Sequence, residues 1–379
     1  MKKIYLDYAA GTPLAPEVTK VVEKYTGQYH NPSAIYLSAR ESAEVIERSR
    51  KVIADILGAK PAEIIFTSGA TEADNLAIGG VLKAHPGARV AIAASEHKAV
   101  SQAAEAYSGL KVDIIKVDKT GLVTPAALKR AIKPKTALIS IAYADSEIGT
   151  IQNFRELLPV VEEARRGRNA KSLPLYLHTD ASQAANYLDL HVSRLGVDLL
   201  SLGGAKIYGP KSSGALYVRH NVKLEPLIYG GGQERGLRSG SEDIAAIAGL
   251  AEALKLVQSD RVRESRRLSQ FKDQLKRGLM ANKSISFNGH PKRHLPNILN
   301  FSLAGADGER LAMKLDELGL EVGTGAACSL NSDQPSPVLT AIGLKPDQAN
   351  SSLRLSLGRP TTEADVAKAV KILHKVLSA

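Results

Sequence analysis

Four short stretches of this 379-residue chain carry side chains whose type and position suit covalent chemistry. After the apolar run Ile64–Phe66 comes Ser68-Gly69-Ala70-Thr71-Glu72, which leads into a helical pattern over Ala73–Leu82. A helix start offers free backbone N–H groups and the positive end of a dipole; with two hydroxyls beside it, it suits a phosphate. Ser68 or Thr71 could equally cap the helix. His178-Thr179-Asp180 ends the strongly apolar strand Leu173 to Leu177. A carboxylate there lies where open α/β folds bind ligands, although an aspartate also caps a following helix. Leu202-Gly203-Gly204-Ala205-Lys206 sets a lysine among small residues just beyond another buried-strand pattern. A partly desolvated lysine loses its proton more readily and forms Schiff bases; a surface lysine does neither.

The fourth stretch holds Cys328, the sole cysteine, which excludes an intrachain disulfide and any multi-cysteine metal site built by this chain alone. A lone cysteine is often a small buried hydrophobe. Gly323-Thr324-Gly325-Ala326-Ala327-Cys328-Ser329-Leu330, however, has the small residues of a mobile segment and lacks the apolar periodicity of a core. The other three stretches together match what pyridoxal 5'-phosphate (PLP) needs: a phosphate on the helix start, a carboxylate on the ring nitrogen and a lysine on the aldehyde.

The elements that must position these groups follow a regular plan. Strand candidates Ile64–Phe66, Val90–Ala94, Val112–Val117, Thr136–Ala142, Pro174–His178, Val197–Leu202 and Gly214–Val218 alternate with helical patterns, the signature of a parallel sheet covered by helices. A polar helical stretch from Ser241 to Met280 leads to strand Ile298–Ser302, helix Gly308–Leu318, strand Leu353–Ser356 and helix Thr362–Leu377, a smaller α+β unit. The least regular segments, Gly230–Gly240 and Gly323–Pro337, are further site candidates, because binding groups often sit on loops over a rigid scaffold.

Composition narrows the function. The net charge of +11 invites a nucleic-acid reading, but the basic residues are dispersed; the densest run, Arg261 to Arg267, contains Glu264 and follows a helical pattern. With no tryptophan and 4% aromatics there are few stacking platforms for single strands, so direct nucleic-acid binding is not expected. The most apolar stretches, such as Thr136 to Ala144, are too short to span a bilayer, and the N-terminus enters Ile4-Tyr5-Leu6 after two lysines. A cytoplasmic protein without a signal peptide and without a membrane partner is expected.

These residues lie in motifs that resemble the cysteine desulfurases of NifS/IscS type, within the class V aminotransferase group of fold-type I PLP enzymes. The motifs run from Tyr5-Leu6-Asp7-Tyr8-Ala9-Ala10 through Thr67-Ser68-Gly69-Ala70-Thr71-Glu72, Glu96-His97-Lys98-Ala99-Val100, Asp180-Ala181-Ser182-Gln183 and Lys206-Ile207-Tyr208-Gly209-Pro210-Lys211. They continue through Gly230-Gly231-Gly232-Gln233-Glu234-Arg235-Gly236, Arg238-Ser239-Gly240, Cys328 and Ser351-Ser352-Leu353-Arg354-Leu355-Ser356-Leu357-Gly358-Arg359. The resemblance implies a PLP-dependent transferase fold. Residues 15–255 would form a large α/β domain with a mostly parallel seven-stranded sheet, and residues 1–14 and 256–379 a small α+β domain carrying the cysteine loop.

It also implies roles. Lys206 would carry the cofactor, Asp180 would pair with the ring nitrogen, His97 would lie against the ring face and exchange the Cys328 proton, and Gln183 would approach the phenolic oxygen. Ala70 and Thr71 would meet the phosphate, Ser146, Gly203 and Ala205 would be further cofactor contacts, and Arg354 would hold the substrate carboxylate. Read alone, His97 is also a helix-start residue, Gln183 an amide at a turn and Arg354 a strand-edge ion pair. Several positions depart from the usual family pattern. Asp145-Ser146-Glu147-Ile148-Gly149 stands for Asn-Asn-Glu-Ile-Gly, Gly203-Gly204-Ala205 for Ser-Gly-His, Gln233 for histidine and Ser241 for threonine. The hydroxyl of Ser241 is kept, and in the family this residue reaches the phosphate of the neighbouring subunit, so a homodimer with shared sites is expected.

The implied reaction takes sulfur from L-cysteine, releases L-alanine and leaves a persulfide on Cys328 for a sulfur-acceptor protein, an iron–sulfur scaffold or a tRNA-thiolation relay. A related class V lyase or transaminase, such as a selenocysteine lyase, and a non-catalytic partner in a sulfur-transfer complex are the alternatives.

Overall fold

The computed structural model describes residues 3–109, 112–169, 171–324 and 335–377. Cys328 lies outside the described residues. Strand β1 (Ile4–Leu6) is followed by helices α1 (Pro16–Thr26) and α2 (Leu37–Leu57). All seven expected strands then form: β2 (Ile64–Thr67), β3 (Arg89–Ala93), β4 (Val112–Ile115), β5 (Thr136–Ser140), β6 (Tyr176–Asp180), β7 (Leu199–Gly203) and β8 (Gly214–Val218). They build one sheet in the order β2-β8-β7-β6-β5-β3-β4.

Alternate residues of these strands enter two different cores, as a period of two demands for a sheet covered on both faces. Ile64, Phe66, Ala91, Ala93, Ile139 and Leu177 join the core that also takes in the long helix Ile244–Leu279. Ile65, Val90, Ile92, Leu138 and Tyr176 join the core under α3 (Ala70–Ala84) and α4 (Lys98–Ser108). Strand β8 runs antiparallel to both neighbours. The link from Gly204 to Ser213 is shorter than the roughly dozen residues a parallel crossover needs, so β7 and β8 form a hairpin.

A second sheet contains β9 (Ile285–Asn288), β10 (Ile298–Leu303), β11 (Leu320–Thr324) and β12 (Ser352–Ser356), in the order β1-β11-β12-β10-β9. The N-terminal strand therefore belongs to the C-terminal sheet, paired in parallel with β11. The helix Ile244–Leu279 is unbroken across residue 255, and Asp243 caps it by accepting from Ala246 N. No helix among the described residues is long and apolar enough to cross a membrane.

Near the site the structure departs from the sequence expectation in two places. The strand expected to end at His178 runs on to Asp180, so His178, Thr179 and Asp180 are strand residues. Asp180 does not cap a helix: its Oδ1 accepts from Ser182 N at 2.8 Å, and the chain then makes a single 3₁₀ turn, Ala184–Asn186.

Candidate active site

The site residues gather beyond the carboxyl ends of the parallel strands. After β3 the chain steps outward to β4 and then returns to β5 on the other side, so β3 and β5 flank the point where strand order reverses, the usual ligand crevice of such sheets. Helix α3 begins further along the same edge, against the end of β7 and the start of β8. Its first residue is Ala70, three earlier than the apolar pattern suggests, and its cap position is Gly69 with no side-chain cap bond; neither Ser68 nor Thr71 caps it. The first-turn N–H groups therefore stay available to an anion. Two glycines let the sheet approach this helix start: a Cβ on Gly203 would meet Ala70 Cβ at 3.0 Å, and one on Gly214 would meet Gly69 Cα at 2.6 Å. Gly204 spends its N–H on Ser213 O at 2.8 Å, so that N–H is not offered to a phosphate. Arg238 reaches over to Glu72 at 3.0 Å, and Ser241 lines the same pocket as Thr67 and Ser68.

Lys206 closes a 3₁₀ turn directly after β7. Thr12 clamps that turn: its hydroxyl donates to Ala205 O at 3.0 Å and accepts from Tyr208 N at 2.8 Å. Tyr208 takes φ +62°, an uncommon conformation for a bulky residue, and its buried hydroxyl accepts from Arg359 N at 2.8 Å. The lysine ammonium donates to Ala10 O at 2.6 Å and Ala9 O at 3.1 Å. Gln183 Nε2 donates to the same Ala9 oxygen at 2.9 Å, which brings Gln183 and Lys206 to one point.

His97 is exposed and stands at the cap of α4, where its Nδ1 accepts from Ala99 N at 3.1 Å. Next to it, buried Glu96 is pushed up to about 8 by burial and then by the negative charge of Asp180. Asp145 is also raised by burial, against hydrogen bonds from Ile148 N and Glu147 N and the positive charges of Arg354 and His97. Arg354, in β12, crosses between the two sheets: Nη1 donates to Ser146 O at 3.0 Å and Nη2 to Asp7 Oδ1 at 2.7 Å. Ser146 thus acts on Arg354 through its carbonyl. Arg354 Nε is buried and has no partner among the described residues.

These groups fit pyridoxal phosphate. The helix start with uncommitted N–H groups, a strand-end carboxylate at Asp180 and an amine donating to two backbone carbonyls supply the donor set for its phosphate, ring nitrogen and aldehyde. The model of the aminotransferase class-V family matches residues 4–368, and the chain belongs to that family. It is 40% identical over 382 residues, 99% of this chain and 95% of the relative, to the cysteine desulfurase IscS of Dictyoglomus turgidum. A solved NifS-like protein superposes with a TM-score of 0.91 at 30% identity, covering 99% of both chains. A structure described as SspA in complex with cysteine matches with a TM-score of 0.79 at 34% identity over 94% of this chain and 99% of that one. Pyridoxal 5'-phosphate is the cofactor of this family and of this chain.

Several residues around the site escaped the sequence reading. Asp7, Ala9 and Ala10 fall in a quoted motif, yet nothing in their types signals that they hold Arg354 and Lys206. His178 was visible only as the neighbour of Asp180, and Asp74 gave no signal at all inside an apolar helix pattern.

Proposed function

We propose that Lys206, Asp180, His97, Gln183 and Arg354 form one reaction site for PLP-dependent cysteine desulfuration, with Cys328 as the sulfur acceptor. The meeting of Lys206 and Gln183 on the Ala9 carbonyl is the observation that best supports the reading, because it puts the expected cofactor lysine and a cofactor contact from a different strand end in one place. When bound, the cofactor supplies an electron sink for charge at the substrate Cα. Arg354 binds the substrate carboxylate with a planar fork already oriented by Asp7 and Ser146. Lys206 takes the Cα proton, and Asp180 holds the proton on the ring nitrogen. The Cys328 thiolate attacks the substrate sulfur; the S–S bond forms as the Cβ–S bond breaks with its electron pair left on Cβ, Cβ takes up a proton, and Cα regains the proton that Lys206 removed. Alanine leaves and the sulfur stays as a persulfide for an acceptor protein. His97 accepts the Cys328 proton.

A homodimer belongs to this reading. Ile228 and Tyr229 are 43% and 69% exposed, and Ile228 is bridged in parallel to Arg238, beside the segment ending at Ser241 that would serve the neighbouring site. We place the protein in the cytoplasm. The test compares wild type with Cys328→Ala for cofactor absorbance, alanine release from cysteine and persulfide formation. The variant should keep the absorbance and lose the other two; unchanged alanine release would remove Cys328 from the reaction.

A further inference from the structure

Below the strand ends lies a line of buried polar side chains that the reaction does not consume. Ser140 Oγ, on β5, donates to Glu96 Oε1 at 3.1 Å and lies 2.9 Å from His178 Nδ1. His178 Nε2 lies 2.9 Å from Ser201 Oγ, on β7, and 3.6 Å from Asp74 Oδ1, on α3. Asp74, Ser140, His178 and Ser201 are fully buried and Glu96 nearly so. His178 and Asp180 are two apart on β6 and so share a face of the sheet, which sets this line directly behind the carboxylate that serves the ring nitrogen.

Proton counting fixes its direction. The single Ser140 proton goes to Glu96 Oε1, with the acid proton of Glu96 on Oε2, the oxygen that has no partner among the described residues; Ser140 then accepts from His178, and Nδ1 carries the imidazole proton. In a neutral ring Nε2 is then an acceptor, served by the Ser201 hydroxyl. Asp74 is left with nothing that donates well. Ser201 is near enough to favour its charge slightly, but neither oxygen completes a hydrogen bond. An ionised carboxylate in that position would be buried and unpaired, a cost the group avoids by keeping its proton. A charged His178 could rescue it, but the ring sits beyond hydrogen-bond distance with both nitrogens already engaged by neutral hydroxyls.

We propose that His178 is a positioning residue for the cofactor's ring nitrogen: an uncharged imidazole fixed between Ser140 and Ser201, flanked by Asp74 and Glu96 as carboxylic acids, so that neither competes with Asp180 as the anion that serves the ring. The inference rests on the reading of Asp180 given above. Burial agrees with it in each case. It drives His178 down to about 3, and it raises Asp74 and Glu96, helped by the charge of Asp180. A cationic His178 would compete with the ring for Asp180; an anionic Asp74 or Glu96 would give the ring proton a second counter-ion.

The holoenzyme, loaded with PLP labelled with ¹⁵N in the ring, tests this. Infrared spectra at neutral pH should show two carboxylic-acid carbonyl bands, one lost in Asp74→Asn and the other in Glu96→Gln. The ring ¹⁵N signal should be that of a protonated pyridine, move toward the neutral value in His178→Leu and return in part in His178→Gln. The leucine variant should lose about tenfold or more in kcat with the KM for cysteine changed about twofold or less, the pattern of a group that acts only after binding. If it does not fold, Ser140→Ala removes one end of the clamp and is read in the same way. Absence of the acid bands, or a wild-type ring signal in folded His178→Leu, overturns the proposal. Asp180→Asn separates the two readings: a ring signal unmoved by it overturns the role of Asp180 itself, whereas a signal moved by Asp180→Asn and not by His178→Leu overturns only the role of His178.

Discussion

Arg354 Nη2 lies 2.7 Å from Asp7 Oδ1, and the two side chains are only 9% and 18% exposed. Asp7 follows β1 directly and is bridged in parallel to Ser356 of β12, the strand that carries Arg354, while Nη1 holds the Ser146 carbonyl from the loop after β5 of the large sheet. The guanidinium is thus a strut between the sheets with one nitrogen, Nε, buried and still to be satisfied. An incoming carboxylate would complete it.

Replacing the strut should therefore weaken substrate binding more than turnover. Arg354→Lys keeps the charge and loses the planar fork, and should raise the KM for cysteine about 30-fold or more, roughly 2 kcal/mol. Asp7→Asn keeps an acceptor for Nη2 and should cost about threefold; Asp7→Ala should cost about tenfold, roughly 1.4 kcal/mol. Steady-state kinetics check this series. An unchanged KM in Arg354→Lys would take Arg354 out of substrate recognition.

The glycines behind the helix start give a test that separates cofactor binding from catalysis. A Cβ on Gly214 would lie 2.6 Å from Gly69 Cα and 2.8 Å from Leu202 O, both backbone atoms that cannot swing aside. Gly214→Ala should displace the start of α3, lower stability by about 1–3 kcal/mol, as overpacking does, and weaken PLP retention about tenfold. Cofactor titration of the apoprotein and urea unfolding measure the two effects. Retention unchanged in a destabilised variant would argue that the helix start does not bind the phosphate.

Legibility in the sequence depends on whether a side chain's interactions are local. The strands of the large sheet were legible because burial on both faces leaves near-continuous apolar runs such as Thr136–Ser140. The end of β6 was misplaced because His178-Thr179-Asp180 looks like a loop. Those polar residues stay in the strand through distant partners: Ser140 and Ser201 for His178, and Ile141 O for Thr179, at 2.7 Å. Helix α2 is hard to read from the sequence because its inner face includes Ser42, Ser49 and Arg50, which break an apolar stripe although all three are buried. In the site, Asp180, Lys206 and Arg354 were found through motif and position. Their holders, Asp7, Ala9 and Thr12, are 193 to 347 residues away in sequence or act through the backbone, which no side-chain pattern reports.

Buried Asp74 makes stability depend on pH in a predictable sense. Its folded-state pKa lies well above the ordinary value, first through burial and then through the charge of Asp180. In the folded protein it keeps a proton that the unfolded chain releases above about pH 4, so wild type loses stability as pH rises through that window, by up to about 1.4 kcal/mol per unit. Asp74→Asn removes this proton. Its unfolding free energy relative to wild type should therefore climb between about pH 5 and pH 8 and be flat below the ordinary carboxylate range. Urea melts across that range measure it; a pH-independent difference would mean that Asp74 is ionised in the fold.

The loop from Gly230 to Gly240 is anchored by a buried ion pair. Glu234 accepts both Arg50 Nη1 and Nη2 at 2.8 Å and Phe66 N at 2.7 Å, although Glu234 and Arg235 take φ +47° and +60°. Glu234→Ala should cost about 3 kcal/mol, because it leaves a buried guanidinium charge stranded except for half-exposed Glu47 at 2.9 Å and the Ile64 carbonyl at 2.8 Å, whereas Arg50→Met with Glu234→Leu should recover much of that loss. Urea unfolding of the two variants decides. Equal losses would show that the pair itself, and not the stranded charge, sets the cost.

That anchored loop leads to the face proposed to meet a second subunit, and the last expectation concerns what happens when the face is spoiled. Ile228 and Tyr229 stay exposed in the single chain, while Arg238 beside them is tied to Glu72 at the start of α3. If two copies join there and Ser241 of each serves the other's phosphate site, as proposed, association and cofactor retention are linked. Light scattering should give about twice the 40.4 kDa chain mass. The double variant Ile228→Asp, Tyr229→Asp places two charges in an interface that would bury them unpaired and should scatter as a monomer. Its PLP should dissociate about tenfold or more faster than from wild type, while Ser241→Ala, still a dimer, should show a smaller loss of about three- to tenfold, one hydrogen bond's worth. A monomer that holds PLP as tightly as wild type would end the shared-site reading; a dimer unaffected by the two aspartates would move the interface elsewhere.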